Sequence, residues 1–232
     1  FSAKFFLPTL SLTFRYAIVT VFLKLSLGFI MALFMNSDMY FSKFLKFMSL
    51  LPWAMQQVAV AVIWKWILDG NYGYLNFYLQ KLGLMHENIS FLSNPGMAFF
   101  AASFVDTWLG LPMVSMIFMA GLSNINPSLY ESAKIDGAGV ISRFIHITCP
   151  CIKRVFLVTL TLLSIWTFNS FNVIFVLTGG GPMRSTETLM LKIYEQAFSK
   201  FNLGAAYALS SVVVVILFIF TMLYYKLEVE ED

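Results

Sequence analysis

Long apolar stretches alternate with short polar connections along most of this chain. A helix needs about 20 mainly apolar residues to cross the hydrocarbon core of a bilayer. The stretches that meet or approach this length cover residues 10–35, 47–68, 97–122, 155–177 and 204–225. All are too long for strands, and none alternates strictly between apolar and polar positions. The pattern therefore predicts an all-α membrane protein with five transmembrane helices, forming a single domain over residues 1–232.

The composition agrees with a protein that is surrounded by lipid. Of the 232 residues, 59% are hydrophobic and only 12% are charged, whereas soluble domains carry about 25% charged residues. Helices suit this environment because each satisfies its own backbone hydrogen bonds. The net charge of +3 is small and scattered, so we expect no nucleic-acid partner.

Residues that commonly bind metals or catalyse reactions are few in this chain. Cys149 and Cys151 flank Pro150, and a disulfide at this spacing would be strained, so we expect two free thiols. His86 and His146 are far apart in the sequence. We therefore predict neither a metal site nor a cofactor in this chain, and no catalytic residues.

The first predicted span contains two basic residues. Arg15 can extend its side chain to the interface between lipid and water. Lys24 lies nearer the middle of the span, where a charge is costly. Either Lys24 also reaches the interface from a tilted helix, or it faces another helix or water.

Basic residues in the connections predict the orientation in the membrane. One side carries Lys43, Lys46, Lys134, Arg143, Lys153, Arg154 and Lys226, and the other carries Lys4, Lys81, Arg184, Lys192 and Lys200. Connections on the cytoplasmic side are enriched in basic residues. The majority of seven against five therefore places the connection over residues 123–154 in the cytoplasm and the start of this chain outside.

This third connection has the pattern of a short, capped helix. Asn126 or Ser128 can cap its start, and Pro127 suits its first turn. Gly137 is placed to end it. We expect a second short helix after this turn, and a break at Pro150 before the next span.

The same connection resembles the EAA loop of permeases, the membrane subunits of binding-protein-dependent ABC importers. The residues that carry the resemblance are Glu131-Ser132-Ala133, Asp136-Gly137-Ala138, Phe144, Ile147 and Pro150. Two positions depart mildly from the pattern. Ser132 stands where a second alanine is usual, and Cys149 stands where leucine usually precedes the proline.

The likeness extends over nearly the whole chain to the branch of this family that takes up carbohydrates. The segments concerned are Leu51-Pro52-Trp53, Ile63-Trp64-Lys65-Trp66, Tyr72-Gly73, Ile165-Trp166-Thr167-Phe168-Asn169-Ser170-Phe171, Leu177-Thr178-Gly179-Gly180-Gly181-Pro182 and Ser185-Thr186-Glu187-Thr188-Leu189. The resemblance implies the type I importer permease fold, in the bacterial inner membrane. It also implies a sixth span, before residue 1, in the full subunit.

The resemblance further implies how such a subunit works. Its partners would be a second permease, two ATP-binding subunits that hold ATP and Mg, and an extracytoplasmic solute-binding protein. The cargo would be a sugar or an oligosaccharide. A cytoplasmic coupling helix within residues 123–152 would dock on the ATPase. The coupling residues would be Glu131, Ala133, Asp136, Gly137 and Ala138.

Polar and aromatic residues in the fourth predicted span are candidates for the cargo path, because sugars bind through hydrogen bonds and aromatic faces. These residues are Trp166, Asn169, Ser170 and Asn172. Hydrogen bonding between helices is an alternative role for the polar ones. Weaker candidates for the path are Asp106, Trp108, Gln56 and Gln57.

Other functions remain as alternatives. One is a permease of the same family for a glycerol phosphate ester or another small solute. The phosphate ester would want a cationic pocket, and Lys24 and Arg15 are the obvious cations within the spans. A carrier that does not use ATP would show inverted repeats, which we do not detect. An intramembrane protease would need paired catalytic residues, whereas Asp106 stands alone.

Overall fold

The computed structural model describes residues 3–37 and 42–229, and the regular structure in these ranges is helical. The helices are α1 (Ala3–Met35), α2 (Ser42–Ala54), α3 (Gln57–Ile67), α4 (Tyr74–Lys81), α5 (Pro95–Ser123), α6 (Pro127–Ile135), α7 (Val140–Arg143), α8 (Cys149–Phe168), α9 (Asn172–Leu177), α10 (Leu189–Tyr194) and α11 (Leu203–Val229). One π-helical segment, Phe144–Thr148, joins α7 to α8, and another, Glu195–Ser199, follows α10. The predicted all-α class is confirmed for the described residues.

Four helices in the described ranges are long and apolar enough to cross a membrane. They are Phe6–Met35, Pro95–Ser123, Val140–Phe168 and Leu203–Tyr224. Helices α2 and α3 pass the same test only as a pair, which is bent by 100°. Counted as one span, this pair brings the number to the predicted five.

The second predicted span, residues 47–68, is not one continuous helix. Helix α2 contains Pro52 and ends at Ala54, and α3 begins at Gln57 after the sharp bend. Proline weakens a helix because it cannot donate a backbone hydrogen bond and its ring crowds the preceding turn. Gln56 then adopts an extended backbone, with ψ of 133°. Hydropathy alone gave a single span here because both halves are apolar.

The fourth predicted span, residues 155–177, differs from the structure at both ends. The helix begins at Val140 and stops at Phe168, and a separate short helix, α9, follows. Asn169 ends the long helix, and its side-chain amide donates to the Ile165 carbonyl at 2.8 Å. Such side-chain bonds compete with the regular backbone pattern. The break therefore arises from local polar chemistry that a hydropathy window does not resolve.

The expected break at Pro150 is wrong. Pro150 lies in the first turn of α8, directly after the π-helical segment Phe144–Thr148, and the helix continues through it. The wider π turn changes the hydrogen-bonding pattern just where proline cannot donate. A single helix therefore runs from the EAA-like segment to the middle of the bundle.

Helix α1 lies at the centre of the bundle, against α5 and α8. It crosses α5 closely at Gly28, where an added Cβ would lie 2.5 Å from Val114 Cγ1. Apolar side chains from α1, α5 and α8 form one part of the core: Val21, Leu25, Ala32, Val114, Phe118, Leu122, Ile152 and Leu163. A second part joins α1 and α5 to α3 and α9 around Tyr16, Val60, Val105 and Ile174.

Hydrogen bonds identify which connections share an end of the bundle. Ser123 Oγ donates to Asn36 Oδ1 at 3.0 Å, so the EAA-like segment and the first connection lie together. At the other end, the Leu189 backbone amide donates to Thr13 Oγ1 at 2.9 Å. This arrangement agrees with the alternation used to predict the orientation. Residues 38–41 of the first connection lie outside the described residues.

Candidate cargo cavity and coupling helix

A cavity of about 420 Å³ lies where the two helix breaks meet. Its lining includes Lys24, Trp53, Gln57, Asp106, Leu109, Gly110, Met113, Leu163, Trp166, Asn169, Ser170, Phe171 and Asn172. Asn172 Nδ2 donates to Gln57 Oε1 at 3.0 Å and so joins the two breaks. Irregular backbone at membrane depth is tolerated where it is buried in protein or lines a water-filled cavity. The structure thus brings together all four residues predicted for the cargo path.

The four predicted cargo-path residues differ in their exposure. The Trp166 side chain is 46% exposed, and Asn169 and Asn172 are also exposed, whereas Ser170 is half-buried. The cavity therefore offers one broad aromatic surface beside amide and hydroxyl groups. The alternative role, hydrogen bonding between helices, also applies to Asn172 through its bond to Gln57.

The weaker sequence candidates separate in the structure. Gln57 and Asp106 line the cavity. Trp108 instead packs edge-on against Trp64, with ring centroids 5.8 Å apart. Gln56 is exposed at the bend between α2 and α3 and is not among the residues that line the cavity.

One wall of the cavity is a buried ion pair that the sequence did not reveal as a pair. Lys24 Nζ lies 3.1 Å from Asp106 Oδ1 and donates to Thr167 Oγ1 at 3.2 Å. The Tyr16 hydroxyl donates to Asp106 Oδ2 at 3.0 Å. Lys24 is 5% exposed and Asp106 is 9% exposed. Lys24 therefore faces another helix, which decides between the two readings of the sequence.

The sequence hints at this pair, because Lys24 lies in the first predicted span and the carboxylate of Asp106 lies in the third. Their contact depends on how α1 packs on α5, which the sequence pattern does not specify. A Cβ at Gly110, one turn beyond Asp106 on α5, would lie 2.9 Å from Lys24 Cε. The missing side chain at this position leaves room for the lysine to lie along α5.

The EAA-like segment forms the predicted capped helix, α6. Asn126 Oδ1 accepts a hydrogen bond from the Ser128 backbone amide at 3.0 Å, which identifies Asn126 as the cap. Asp136 ends the helix, and Gly137 follows with φ of +79°, a conformation that favours glycine. Glu131 is exposed, and Ala133 and Ala138 are half-buried.

Helix α6 is attached to the bundle on one face and open on the other. The Tyr130 hydroxyl lies 2.9 Å from Thr148 Oγ1, in the π-helical segment before α8. The large apolar side chains exposed around α6 and α7 are Leu129, Ile135, Val140, Ile141 and Ile145. Several large apolar side chains exposed on neighbouring helices commonly mark an interaction site.

A network of ion pairs lies at the opposite end of the bundle, around α10. Glu187 pairs with Arg184 and with Lys192, the latter at 2.8 Å. Glu195 pairs with Lys192 at 2.5 Å and with Lys200 at 2.8 Å. Burial alone would raise the pKa of Glu195, but hydrogen bonds and charges from these two lysines lower that pKa to about 2.

Broken apolar spans, a polar cavity at the breaks and a helix presented beyond the bundle define a multi-pass membrane subunit of a transporter. Residues 24–229 match the family described as "Binding-protein-dependent transport system inner membrane component". The chain therefore belongs to this family of ABC importer permeases, which confirms the resemblance found in the sequence.

Individual relatives place the chain within this family. It is 35% identical to the trehalose/maltose transport system permease protein MalF of Thermococcus litoralis, over 97% of this chain and 75% of that protein. It is 30% identical to the sn-glycerol-3-phosphate transport system permease protein UgpA of Salmonella choleraesuis, over 97% of this chain and 76% of that protein.

Solved structures share the fold. A chain of the bacterial alginate ABC transporter, in complex with its alginate pentasaccharide-bound periplasmic protein, superposes with a TM-score of 0.85. The sequence identity is 22%, and the match covers 97% of this chain and 78% of that one. The likeness confirms the importer permease fold.

Proposed function

We propose that this chain is the non-catalytic permease subunit of an ATP-driven importer that moves a sugar or an oligosaccharide across the bacterial inner membrane into the cytoplasm. The observation that carries the proposal is the cavity at the two helix breaks. It combines the Trp166 ring with the amides of Asn169 and Asn172, which are the groups that bind sugar rings and hydroxyls. The relatives that transport trehalose, maltose and alginate support a carbohydrate cargo.

The importer would be assembled from several subunits. A second permease would complete the translocation path, and an extracytoplasmic solute-binding protein would deliver the cargo. Two ATP-binding subunits would hold ATP and Mg and dock on α6 and the turn that follows it, through Glu131, Ala133, Asp136, Gly137 and Ala138. ATP binding would move α6 together with the long helix that starts at Val140, and so switch the access to the cavity between the two sides.

A glycerol phosphate ester is the second candidate cargo, favoured by the similarity to a glycerol-3-phosphate permease. Such a cargo carries negative charge and would need a cationic pocket. Lys24 lines the cavity, but its charge is balanced by Asp106 at 3.1 Å. Arg15 lines a different cavity, beside Arg184 and Glu187. The charges of the described residues therefore favour a neutral cargo.

The decisive experiment measures ATP hydrolysis by the reconstituted complex, with its binding protein loaded from a panel of neutral oligosaccharides and with sn-glycerol 3-phosphate. We expect stimulation by one of the sugars. Stimulation by the phosphate ester alone would establish the second candidate. A complex that responds to none of these solutes would contradict both.

The same assay tests the coupling helix with a matched pair of substitutions. Gly137 and Gly83 both have positive φ, of +79° and +68°, and neither has another group within 4 Å of a built Cβ. Gly137→Asp should abolish the stimulation by cargo because it alters the end of α6. Gly83→Asp, in the connection after α4, should preserve it. Equal effects of the two changes would mean that α6 is not the coupling helix.

A further inference from the structure

We propose that the Lys24–Asp106 ion pair makes the cavity wall electrically neutral, and that Asp106 thereby sets its selectivity against anionic solutes. The inference deepens the proposed function, because it concerns the charge of the cargo that this cavity accepts. Lys24 and Asp106 are the charged residues among the described residues that line the cavity. The charge of the wall therefore depends on the balance between these two.

The geometry holds the lysine charge in place. Lys24 Nζ donates both to Asp106 Oδ1 at 3.1 Å and to Thr167 Oγ1 at 3.2 Å. Tyr16 occupies the second carboxylate oxygen of Asp106 at 3.0 Å. The three helices α1, α5 and α8 thus meet at this pair. A buried charge without its partner exerts a much stronger field than a paired one, because no opposite charge cancels it and little water screens it.

Removal of the carboxylate charge should therefore turn the cavity cationic. Asp106→Asn keeps the shape of the side chain but leaves the lysine charge unbalanced. Lys24→Met has the opposite effect, since it leaves the charge of Asp106 alone. The double substitution removes both charges and restores a neutral wall.

Trp166 reports on this field without any knowledge of the cargo, because it lines the same cavity and is 46% exposed. The measurement is the quenching of tryptophan fluorescence in the assembled importer, in lipid nanodiscs. The quenchers are iodide, caesium and neutral acrylamide. The signal of the matching Trp166→Phe complex is subtracted, so that the difference isolates Trp166 from the other tryptophans.

In the wild-type complex, we expect iodide and caesium to quench Trp166 equally, once each is scaled to quenching of a free tryptophan derivative. Asp106→Asn should raise the iodide constant about twofold or more, because a cationic cleft concentrates anions. Lys24→Met should lower the iodide constant and raise the caesium constant. Acrylamide quenching should not change, and the double variant should match the wild type.

Several results would overturn the inference. A wild-type complex in which iodide quenches Trp166 far better than caesium already has a cationic cavity, and this test needs no variant of Lys24 or Asp106. A single variant that assembles but shows the wild-type iodide and caesium constants would contradict a role of the pair. A parallel rise in acrylamide quenching would show that the cavity had opened instead. None of these readouts depends on sugar transport, so the proposed function can fail or hold independently.

Discussion

Single residues determine how closely the helices of this bundle approach. At Gly28, α1 comes so near to α5 that a Cβ would lie 2.5 Å from Val114 Cγ1 and 2.8 Å from Val114 Cβ. Valine is stiff at χ1 and cannot move its branched carbon aside without a shift of the helix. The packing of α1 on α5 also positions Lys24 against Asp106. Small residues at such crossings are typical of membrane helices.

Gly28→Ala should lower the free energy of unfolding by about 1–3 kcal/mol, the usual cost of overpacking a tight contact. Thermal unfolding in detergent micelles measures the loss. Gly204→Ala is the control, because its Cβ would meet only Asn202 Oδ1, at 3.9 Å. Adding Val114→Ala to Gly28→Ala should restore part of the stability. A Gly28→Ala protein as stable as the control would show that the helices separate at little cost.

At the scale of elements, one helix connects the two functional regions. The helix Val140–Phe168 starts beside α6 and ends at the cavity. From Thr148 to Trp166 it spans about 27 Å, at a rise of about 1.5 Å per residue. Tyr130 ties α6 to this helix near its start, through its 2.9 Å contact with Thr148 Oγ1. Movement of α6 can therefore reach the cavity through one continuous helical span.

Tyr130→Phe should weaken this link without removing the ring from the core. We expect the amount of sugar imported per ATP hydrolysed to fall about two- to tenfold, which corresponds to one lost hydrogen bond. Uptake and hydrolysis are measured together in proteoliposomes. Tyr207→Phe, at an exposed position on α11, should have no effect. Thr148→Val should lower the amount of sugar imported per ATP by the same factor. The double variant should show no greater loss than either single variant. Additive losses would argue against a direct link between Tyr130 and Thr148.

The ion pairs around α10 should make the end of the bundle opposite to α6 sensitive to acid. The pKa of Glu195 is lowered to about 2 in the folded protein, from a reference of 4.5. Its contribution to stability is therefore complete above about pH 4.5 and is lost as the pH falls through 2. Since the Glu195 side chain is 36% exposed, solvent screening keeps this contribution small.

The comparison of wild type with Glu195→Gln measures this contribution. The difference between their thermal unfolding midpoints should be largest near pH 6 and should shrink steadily between pH values of about 4.5 and 2. Lys200→Met should narrow the difference, because it removes one of the two cations that lower the pKa. A difference that is constant over this range would mean that Glu195 titrates normally in the folded protein.

At the scale of the whole molecule, the cargo path depends on where the spans break. The bend after α2 brings Trp53 and Gln57 to the same cavity as the break after α8. Two continuous helices would satisfy their own backbone and leave less room for a polar ligand. Broken helices at membrane depth are also a recurring way of building binding sites in secondary transporters.

Trp166→Ala should reduce sugar uptake by the reconstituted importer about two- to tenfold, the effect of losing one aromatic contact. ATP hydrolysis without cargo should not change. Trp66→Ala serves as a matched control, since Trp66 is 74% exposed on α3 and does not line the cavity. If both changes lowered uptake equally, the loss would come from altered packing of the helices and not from a lost contact with the cargo.

The sequence by itself determined the features that arise from local patterns. Runs of apolar residues predicted all-helical spans, because length and hydropathy alone satisfy the bilayer. The capped helix α6 followed from Asn126, Pro127 and Gly137, whose effects act within one or two turns. The sequence also predicted Asn169, Ser170 and Asn172 as candidates for the cargo path; they line one cavity, and their contact with cargo stays a prediction.

Only the tertiary structure decided where the spans break and what faces the cavity. The 100° bend after Ala54 and the continuation through Pro150 depend on neighbouring helices and on a π turn, which hydropathy does not register. The contact between Lys24 and Asp106 joins residues 82 positions apart. Such a pair forms because α1 and α5 pack in one particular register, and that register is fixed by side-chain shapes from both helices at once.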